Sequence, residues 1–173
     1  MARSLLKSIL MRFILSLCVA ALLAGCAAPR ELPRYERPLA KTEFQTVRTT
    51  AYTDTEADHI QYTNHNALGS TLSYGAVKSA AADWSRWPAG TVFRIVETGE
   101  TYQVDDYGWD LAGRNTIDLY KPSRYEMNSW GCRNVTIQIL QWGDPKYSYQ
   151  VLEPRSRFPH VRRMLRELEG KPV

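Results

Sequence analysis

The chain has 173 residues, of which 44% are hydrophobic and 23% are charged, which is the composition of one ordinary globular domain. Its formal charge of +4 comes from its two ends, because the stretch between residues 26 and 153 carries 13 basic and 16 acidic residues. A mildly negative central stretch does not indicate nucleic-acid binding.

Residues 1–25 have the pattern of a secretory signal peptide. Three basic residues precede an apolar run over 13–23, which is too short for a membrane-spanning helix. The run ends in Leu-Ala-Gly-Cys at 23–26, which resembles the lipoprotein box of bacteria. The resemblance implies that Cys26 becomes a lipidated amino terminus, and Ala27 favours sorting to the periplasmic face of the outer membrane. The alternative is a plain secreted protein that is cut near Ala24.

Residues 26–46 combine three prolines with alternating charges and lack apolar periodicity, which predicts an extended lipidated tether. A β-rich domain is predicted over 47–153 and a basic helix over 154–173. Alternation of polar and apolar residues, bounded by turn residues, predicts short strands. The predicted strands are 47–53, 72–76, 79–82, 91–96, 101–104, 116–120, 134–140 and 147–152.

Two helices interrupt this β pattern. Pro122 can start a short interior helix that runs to Trp130 and ends at Gly131. The second helix covers 159–168 and is amphipathic and basic. Many short strands with one interior helix suggest a mainly β fold, a small closed barrel.

The stretch 102–120 holds the residues that chemistry would need. A strand ends in Asp105 and Asp106, a loop with two glycines follows, and a second strand carries Asp118 between apolar neighbours. Because strand side chains alternate, we expect Asp106 and Asp118 to share one site and Asp105 to point away from Asp106. Aspartate is also common in ordinary turns, but within a strand it is disfavoured unless it serves a purpose.

Other reactive side chains fit ordinary structural roles. Cys132 lacks a recognisable set of catalytic partners, so we interpret it as a small buried residue. His59 and His65 lie in a polar loop without a metal-ligand pattern, so we interpret them as solvated. We expect neither a metal nor a cofactor.

Several short motifs, in the right order over about 49–140, resemble the three-aspartate (3D) domain of membrane-bound lytic transglycosylase A. They are Thr-Ala-Tyr at 50–52, Ala-Ala-Asp-Trp at 81–84, Pro-Ala-Gly-Thr at 88–91, the glycine loop at 106–113 and Ile-Asp-Leu-Tyr at 117–120. The resemblance implies a six-stranded double-psi β-barrel and makes Asp83, Asp106 and Asp118 the three name-giving aspartates. Trp109 in place of a glycine and Asp110 in place of an apolar residue depart from the family pattern.

The resemblance also implies cleavage of peptidoglycan glycan strands at the β-1,4 bond between N-acetylmuramic acid and N-acetylglucosamine, giving 1,6-anhydro products. By resemblance, Asp118 is the acid/base, and we expect Asp106 to stay ionised and raise the pKa of Asp118. Asp83 would orient loops or bind sugar hydroxyls. The rings beside these motifs are candidates for stacking on sugars; they belong to Tyr52, Trp84, Tyr107 and Trp109.

Two other functions remain open at this point. One is a non-catalytic lipoprotein of the cell envelope that binds peptidoglycan, since a fold does not fix a function. The other is a two-carboxylate hydrolase that produces reducing ends.

Overall fold

The computed structural model of the chain describes residues 30–57 and 59–172. The predicted signal peptide at 1–25 and the predicted lipidation site at Cys26 lie outside the described residues. Within them, no helix has the length and apolar character needed to cross a membrane.

Six strands and three α-helices make up the described chain, with short 3-10 turns between them. The strands are β1 (Phe44–Tyr52), β2 (Val77–Ala81), β3 (Val92–Ile95), β4 (Thr101–Asp106), β5 (Thr116–Tyr120) and β6 (Arg133–Gln141). The helices are α1 (Arg124–Trp130), α2 (Pro145–Leu152) and α3 (Pro159–Leu168). The prediction of a mainly β chain with an interior helix and a C-terminal helix is confirmed.

Alternation in the sequence explains which face each strand buries. In β6, Val135, Ile137 and Ile139 are buried, whereas the residues between them are partly exposed. In β5, Ile117 and Leu119 are completely buried on either side of the half-buried Asp118. The apolar set faces inward because neighbouring side chains of a strand project to opposite faces.

The strands pair in the order β1-β5-β2-β4-β3-β6, and β6 pairs back with β1, which closes the sheet. Two of the six pairings are parallel, β1 with β5 and β2 with β4. The other four are antiparallel. The buried side chains of this closed sheet form the main core, to which α2 contributes Leu152 and α3 contributes Val161 and Met164.

The predicted strand at 147–152 is wrong, because this stretch lies within α2. Asp144 caps the helix by accepting a hydrogen bond from the amide of Lys146 at 2.8 Å, and Pro145 stands in the first turn. Proline is well suited to that position, since its missing N–H would have no partner there. The predicted strand at 72–76 is also absent, and this stretch makes only an isolated bridge between Tyr74 and Lys78.

The segment that precedes β1 belongs to the folded unit, which spans Leu32–Val173. The amide of Glu36 donates to the carbonyl of Gly113 at 2.8 Å, and the Glu36 carboxylate accepts from the amide of Asn115 at 2.6 Å. Arg163 of α3 donates to the carbonyl of Pro33 at 2.7 Å. Much of the predicted tether therefore packs on the domain through backbone and charged groups, which apolar periodicity does not reveal.

Cys132, predicted to be buried, is exposed at the start of β6. Its sulfur accepts a hydrogen bond from Nε of Arg48 at 3.0 Å. His59 is half-buried, because its ring packs on Tyr52 with a centroid separation of 5.4 Å.

Candidate functional site

One row of residues crosses four neighbouring strands. Asp118 in β5 is the register partner of Thr50 in β1 and of Ala81 in β2. Ala81 is in turn the register partner of Asp106 in β4. Register partners project to the same face of a sheet, and the flanking residues of Asp118 point into the core, so this row lies on the outer face. Two strand spacings separate the Cα atoms of the two aspartates by about 10 Å.

Asp105 also joins this group, although strict alternation predicts that it points away from Asp106. The register between β2 and β4 shifts between Ala80 and Ala81, which is the signature of a β-bulge. Asp105 is buried and accepts hydrogen bonds from Oγ of Ser79 at 2.6 Å and from Nδ2 of Asn66 at 2.9 Å. Its charge lies close enough to raise the pKa of Asp106.

The carboxyl group of Asp106 is strongly perturbed by its surroundings. Only 8% of the residue is exposed, and burial raises its pKa to about 7, with a further contribution from the charge of Asp105. Hydrogen bonds from the amides of Tyr107 and Ala67 and from the hydroxyl of Tyr52 oppose this rise. Desolvation outweighs these hydrogen bonds and brings the pKa of Asp106 close to neutral pH, where the sequence predicts an ionised group.

Asp118 is more accessible than Asp106 and is half-buried. Its Oδ1 accepts a hydrogen bond from the hydroxyl of Thr50 at 2.7 Å. Burial raises the pKa of Tyr52 well above its ordinary value, and the charges of Asp106, Asp105 and Asp118 raise it further. The Tyr52 hydroxyl therefore lies within electrostatic reach of all three carboxyl groups, 3.4 Å from Oδ2 of Asp106.

Asp83 lies apart from this row and is completely buried. Its carboxylate accepts hydrogen bonds from the amide and hydroxyl of Ser85 and from the amide of Gly113, at 2.5 to 2.8 Å. Its carbonyl oxygen accepts from the amides of Arg86 and Trp87. Burial raises the pKa of Asp83, and these hydrogen bonds to its carboxylate counteract the rise. Asp83 thus fastens the turn after β2 to the glycine loop, which fits the expected role in orienting loops.

The four candidate sugar-stacking rings fall into two groups. Trp84 is completely buried and donates its indole N–H to the carbonyl of Asp106 at 2.8 Å, so it supports β4 and offers no face to a sugar. Tyr52 is also buried and contributes its hydroxyl rather than its ring face. Tyr107 and Trp109 are half-buried and lie at the edge of the site.

The C-terminal segment reaches this edge, which sequence reasoning missed. Arg155 donates from Nη1 to the hydroxyl of Tyr107 at 3.2 Å and from Nη2 to the carbonyl of Ala67 at 2.9 Å. His160 packs on Trp109, with ring centroids 4.9 Å apart. The basic character of the segment was visible in the sequence, but no local pattern indicated where it would dock.

The row of aspartates is largely covered by neighbouring side chains. Ala81 is 5% exposed and belongs to a second buried apolar cluster with Tyr52, Leu72, Leu111 and Tyr120, whereas Asp118 is half-buried. A cavity of about 250 Å³ opens elsewhere, between the segment before β1 and the barrel, and Arg86, Trp87, Asn115 and Glu167 are among its lining residues. No group of three or more His, Cys, Asp or Glu side chains in the described ranges is arranged to hold a metal ion.

The fold and site define a mainly β protein with a closed six-stranded sheet and a row of buried and half-buried carboxyl groups on its outer face. No protein-family model matches the chain, and a search of curated proteins finds no significant match.

Proposed function

We propose that this protein is a lytic transglycosylase of peptidoglycan, which cuts the β-1,4 bond between N-acetylmuramic acid and N-acetylglucosamine. The observation that supports it best is the pair of Asp106 and Asp118 on either side of Ala81, one carboxyl group having a pKa of about 7. A general acid/base works best when its pKa lies near the working pH. The resemblance to three-aspartate domains supplies the substrate class.

The reaction needs one proton to be delivered and one to be removed. A carboxylic acid protonates the departing glycosidic oxygen, and the bond from the anomeric carbon of the muramyl residue breaks. The muramyl 6-hydroxyl then attacks that carbon and loses its proton to the carboxylate, which closes the 1,6-anhydro ring and regenerates the acid. No water is consumed, so a single carboxyl group suffices.

Exposure and pKa point to different carboxyl groups for this task. Asp118 is the more accessible one, and Thr50 fixes its orientation through a 2.7 Å hydrogen bond. Asp106 holds its proton up to about pH 7 but is only 8% exposed. In the mechanism that we propose, Asp118 contacts the glycosidic oxygen. Asp106 supplies an uncharged, proton-donating neighbour below its pKa and a stabilising negative charge above it.

The same proposal includes the finer fold and the location of the protein. The mixture of parallel and antiparallel pairings in a closed sheet of six strands agrees with a double-psi β-barrel. Lipidation at Cys26 would anchor the domain to a membrane. The resemblance to bacterial lipoproteins favours the periplasmic face of the outer membrane. Glycan strands of peptidoglycan are the expected partner there.

A hydrolase is a second candidate, because the row brings a second carboxyl group, that of Asp106, to the strand position beside Asp118. Inverting glycosidases use two carboxyl groups with room for the attacking water between them. Asp106 would then be the protonated acid and Asp118 the base, and the products would carry reducing ends.

Product chemistry tests these functions. Purified peptidoglycan is incubated with the wild-type protein and with Asp118→Asn and Asp106→Asn variants, and the released muropeptides are identified by mass spectrometry. Asp110→Asn is the matched control, because Asp110 is exposed in the glycine loop between β4 and β5 and lies outside the row. Anhydro-muramyl products that disappear in Asp118→Asn but persist in Asp110→Asn support the transglycosylase.

The other outcomes contradict that proposal in distinct ways. Products with reducing ends, lost in both Asp106→Asn and Asp118→Asn, identify the hydrolase. Intact sacculi that retain the wild-type protein and release nothing identify a non-catalytic peptidoglycan-binding lipoprotein.

A further inference from the structure

Four aromatic side chains from two distant parts of the chain meet beside the carboxyl row. His160 lies at their centre, with ring centroids 4.9 Å from Trp109, 5.9 Å from Tyr107 and 5.8 Å from Phe158. Two of the rings follow β4 and two belong to the C-terminal segment. We refer to Tyr107, Trp109, Phe158 and His160 as the aromatic patch.

The aromatic patch is partly open to solvent. Phe158 is 38% exposed, and the other three residues are half-buried. Half-exposed rings grouped together are unusual on a protein surface, because single exposed apolar side chains are normal whereas contiguous ones mark binding surfaces. The patch therefore indicates a binding surface for a ligand that has an apolar face.

The patch is continuous with the site. Tyr107 directly follows Asp106 in the chain, and its amide donates to the Asp106 carboxylate at 2.9 Å. Its ring packs nearly perpendicular to the ring of Trp84, whose indole N–H donates to the carbonyl of Asp106. A glycan that lies across the carboxyl row can therefore also contact the patch.

The patch is also held in a fixed position. Arg155 bonds to the Tyr107 hydroxyl and to the carbonyl of Ala67, and its guanidinium lies 5.8 Å from the centroid of the Tyr107 ring. A fixed ring loses little conformational entropy when a ligand binds to it, so its contacts contribute more to affinity.

We infer that the aromatic patch is a subsite that binds a sugar ring of the glycan, and that the C-terminal segment thereby forms one wall of the substrate site. One face of a β-linked N-acetylhexosamine ring presents axial C–H bonds, whose positive edges complement the negative face of an aromatic ring. Trp109 supplies the largest ring, and Phe158, over whose ring the guanidinium of Arg157 lies on one side, adds its exposed part. This inference deepens the proposed function, on which it rests for its choice of a glycan as the ligand.

The experiment measures binding of chitohexaose, a soluble β-1,4-linked N-acetylglucosamine oligomer, by isothermal titration calorimetry and tryptophan fluorescence. We expect Trp109→Ala and Phe158→Ala each to weaken binding about tenfold, and Trp109→Phe to weaken it only about two- to threefold. Trp142→Ala is the matched control, because Trp142 is the other half-buried tryptophan and it lies after β6, near Lys41. It should leave the affinity unchanged.

A purely structural role for the patch predicts a different result. If the rings only fasten α3 to the barrel, Trp109→Ala lowers the melting temperature while the affinity of the folded protein stays at the wild-type value. Wild-type affinity in both Trp109→Ala and Phe158→Ala, or an equal loss in Trp142→Ala, overturns the inference.

Failure of the subsite and failure of the proposed function are distinguishable. If Trp109→Ala and Phe158→Ala cleave peptidoglycan with an unchanged KM, the proposed activity is supported and the subsite is contradicted. If these variants lose chitohexaose binding but the wild-type protein releases no muropeptides, the subsite is supported and the proposed activity is contradicted.

Discussion

Asp106 and Asp118 stand on opposite sides of a single strand, because Ala81 of β2 is the register partner of both. Ala81 itself is buried in an apolar cluster with Tyr52 and Tyr120. One of them is buried and the other half-exposed, so the same row contains a proton-holding group and a group accessible to substrate.

The pH dependence of stability should reveal the buried carboxyl group. The pKa of Asp106 is raised from its ordinary value of 3.8 to about 7, so between these values the folded state binds a proton that the unfolded state has lost. Stability therefore falls as the pH rises through this window. We expect Asp106→Asn, which is always neutral, to be more stable than the wild type at pH 8. At pH 5 the wild-type carboxyl group is protonated in the folded state, so the free energy of unfolding of the variant relative to the wild type should be lower by about 2–3 kcal/mol than at pH 8.

Urea unfolding at pH 5 and pH 8 measures this difference. Comparison of the variant with the wild type at each pH isolates Asp106 from Asp83 and Asp105, whose pKa values are also raised by burial. A difference between variant and wild type that does not change with pH would contradict the assignment of the shifted pKa to Asp106.

The Tyr52 hydroxyl should tune the same carboxyl group. It donates to Oδ2 of Asp106 at 3.4 Å and lowers the Asp106 pKa by favouring its charged form. Tyr52→Phe keeps the ring contacts and removes this donor, so we expect the Asp106 pKa to rise. Carbon-13 NMR titration of the carboxyl resonance measures it.

Tyr120→Phe is the matched control for Tyr52→Phe. The Tyr120 ring packs 5.7 Å from that of Tyr52, but its charged neighbours are Asp54 and Glu126 rather than Asp106. An equal shift of the Asp106 titration in both variants would mean that the ring cluster, and not the Tyr52 hydroxyl, is responsible.

The sequence predicts most of the strands because their apolar alternation is regular. Val135, Ile137 and Ile139 in β6 show this pattern, and the structure buries all three. The interior helix was also predictable, since Ser123 caps it with a hydrogen bond from the amide of Glu126 and Gly131 ends it with a positive φ of 63°.

The same alternation fails where the register shifts. The bulge beside Ala81 brings the charge of Asp105 near Asp106, and nothing in the local sequence marks it. Long-range docking is equally invisible, as in the contact of Arg155 with Ala67, 88 positions away. Burial moves the pKa of Asp106 toward neutral pH, which the sequence does not predict, because desolvation depends on the surrounding fold rather than on the flanking residues.

Asp83 should matter for stability rather than for chemistry. Asp83→Ala leaves the buried amides of Ser85 and Gly113 without their acceptor, so we expect a loss of about 3 kcal/mol in the free energy of unfolding. Asp144→Ala is a control that removes an exposed helix cap and should cost about 1 kcal/mol. Urea unfolding compares them, and an Asp83→Ala loss no larger than that of Asp144→Ala would contradict an anchoring role.

Arg155 should act as a positioning residue for Asp106, although it does not touch that carboxyl group. It holds the carbonyl of Ala67 and the hydroxyl of Tyr107, and the amides of these same two residues donate to the Asp106 carboxylate. Loosening both amides weakens hydrogen bonds that favour the charged form, so Arg155→Gln should raise the Asp106 pKa above about 7.

The NMR titration of Asp106 distinguishes positioning from simple loss of stability, because it reports on the folded protein alone. Arg157→Gln is the matched control, since Arg157 is exposed and lies over the ring of Phe158. It removes the same charge from the same segment without touching Ala67 or Tyr107. If both variants shift the titration equally, the effect is the general charge of the segment; if neither shifts it, the two amides hold their places without Arg155.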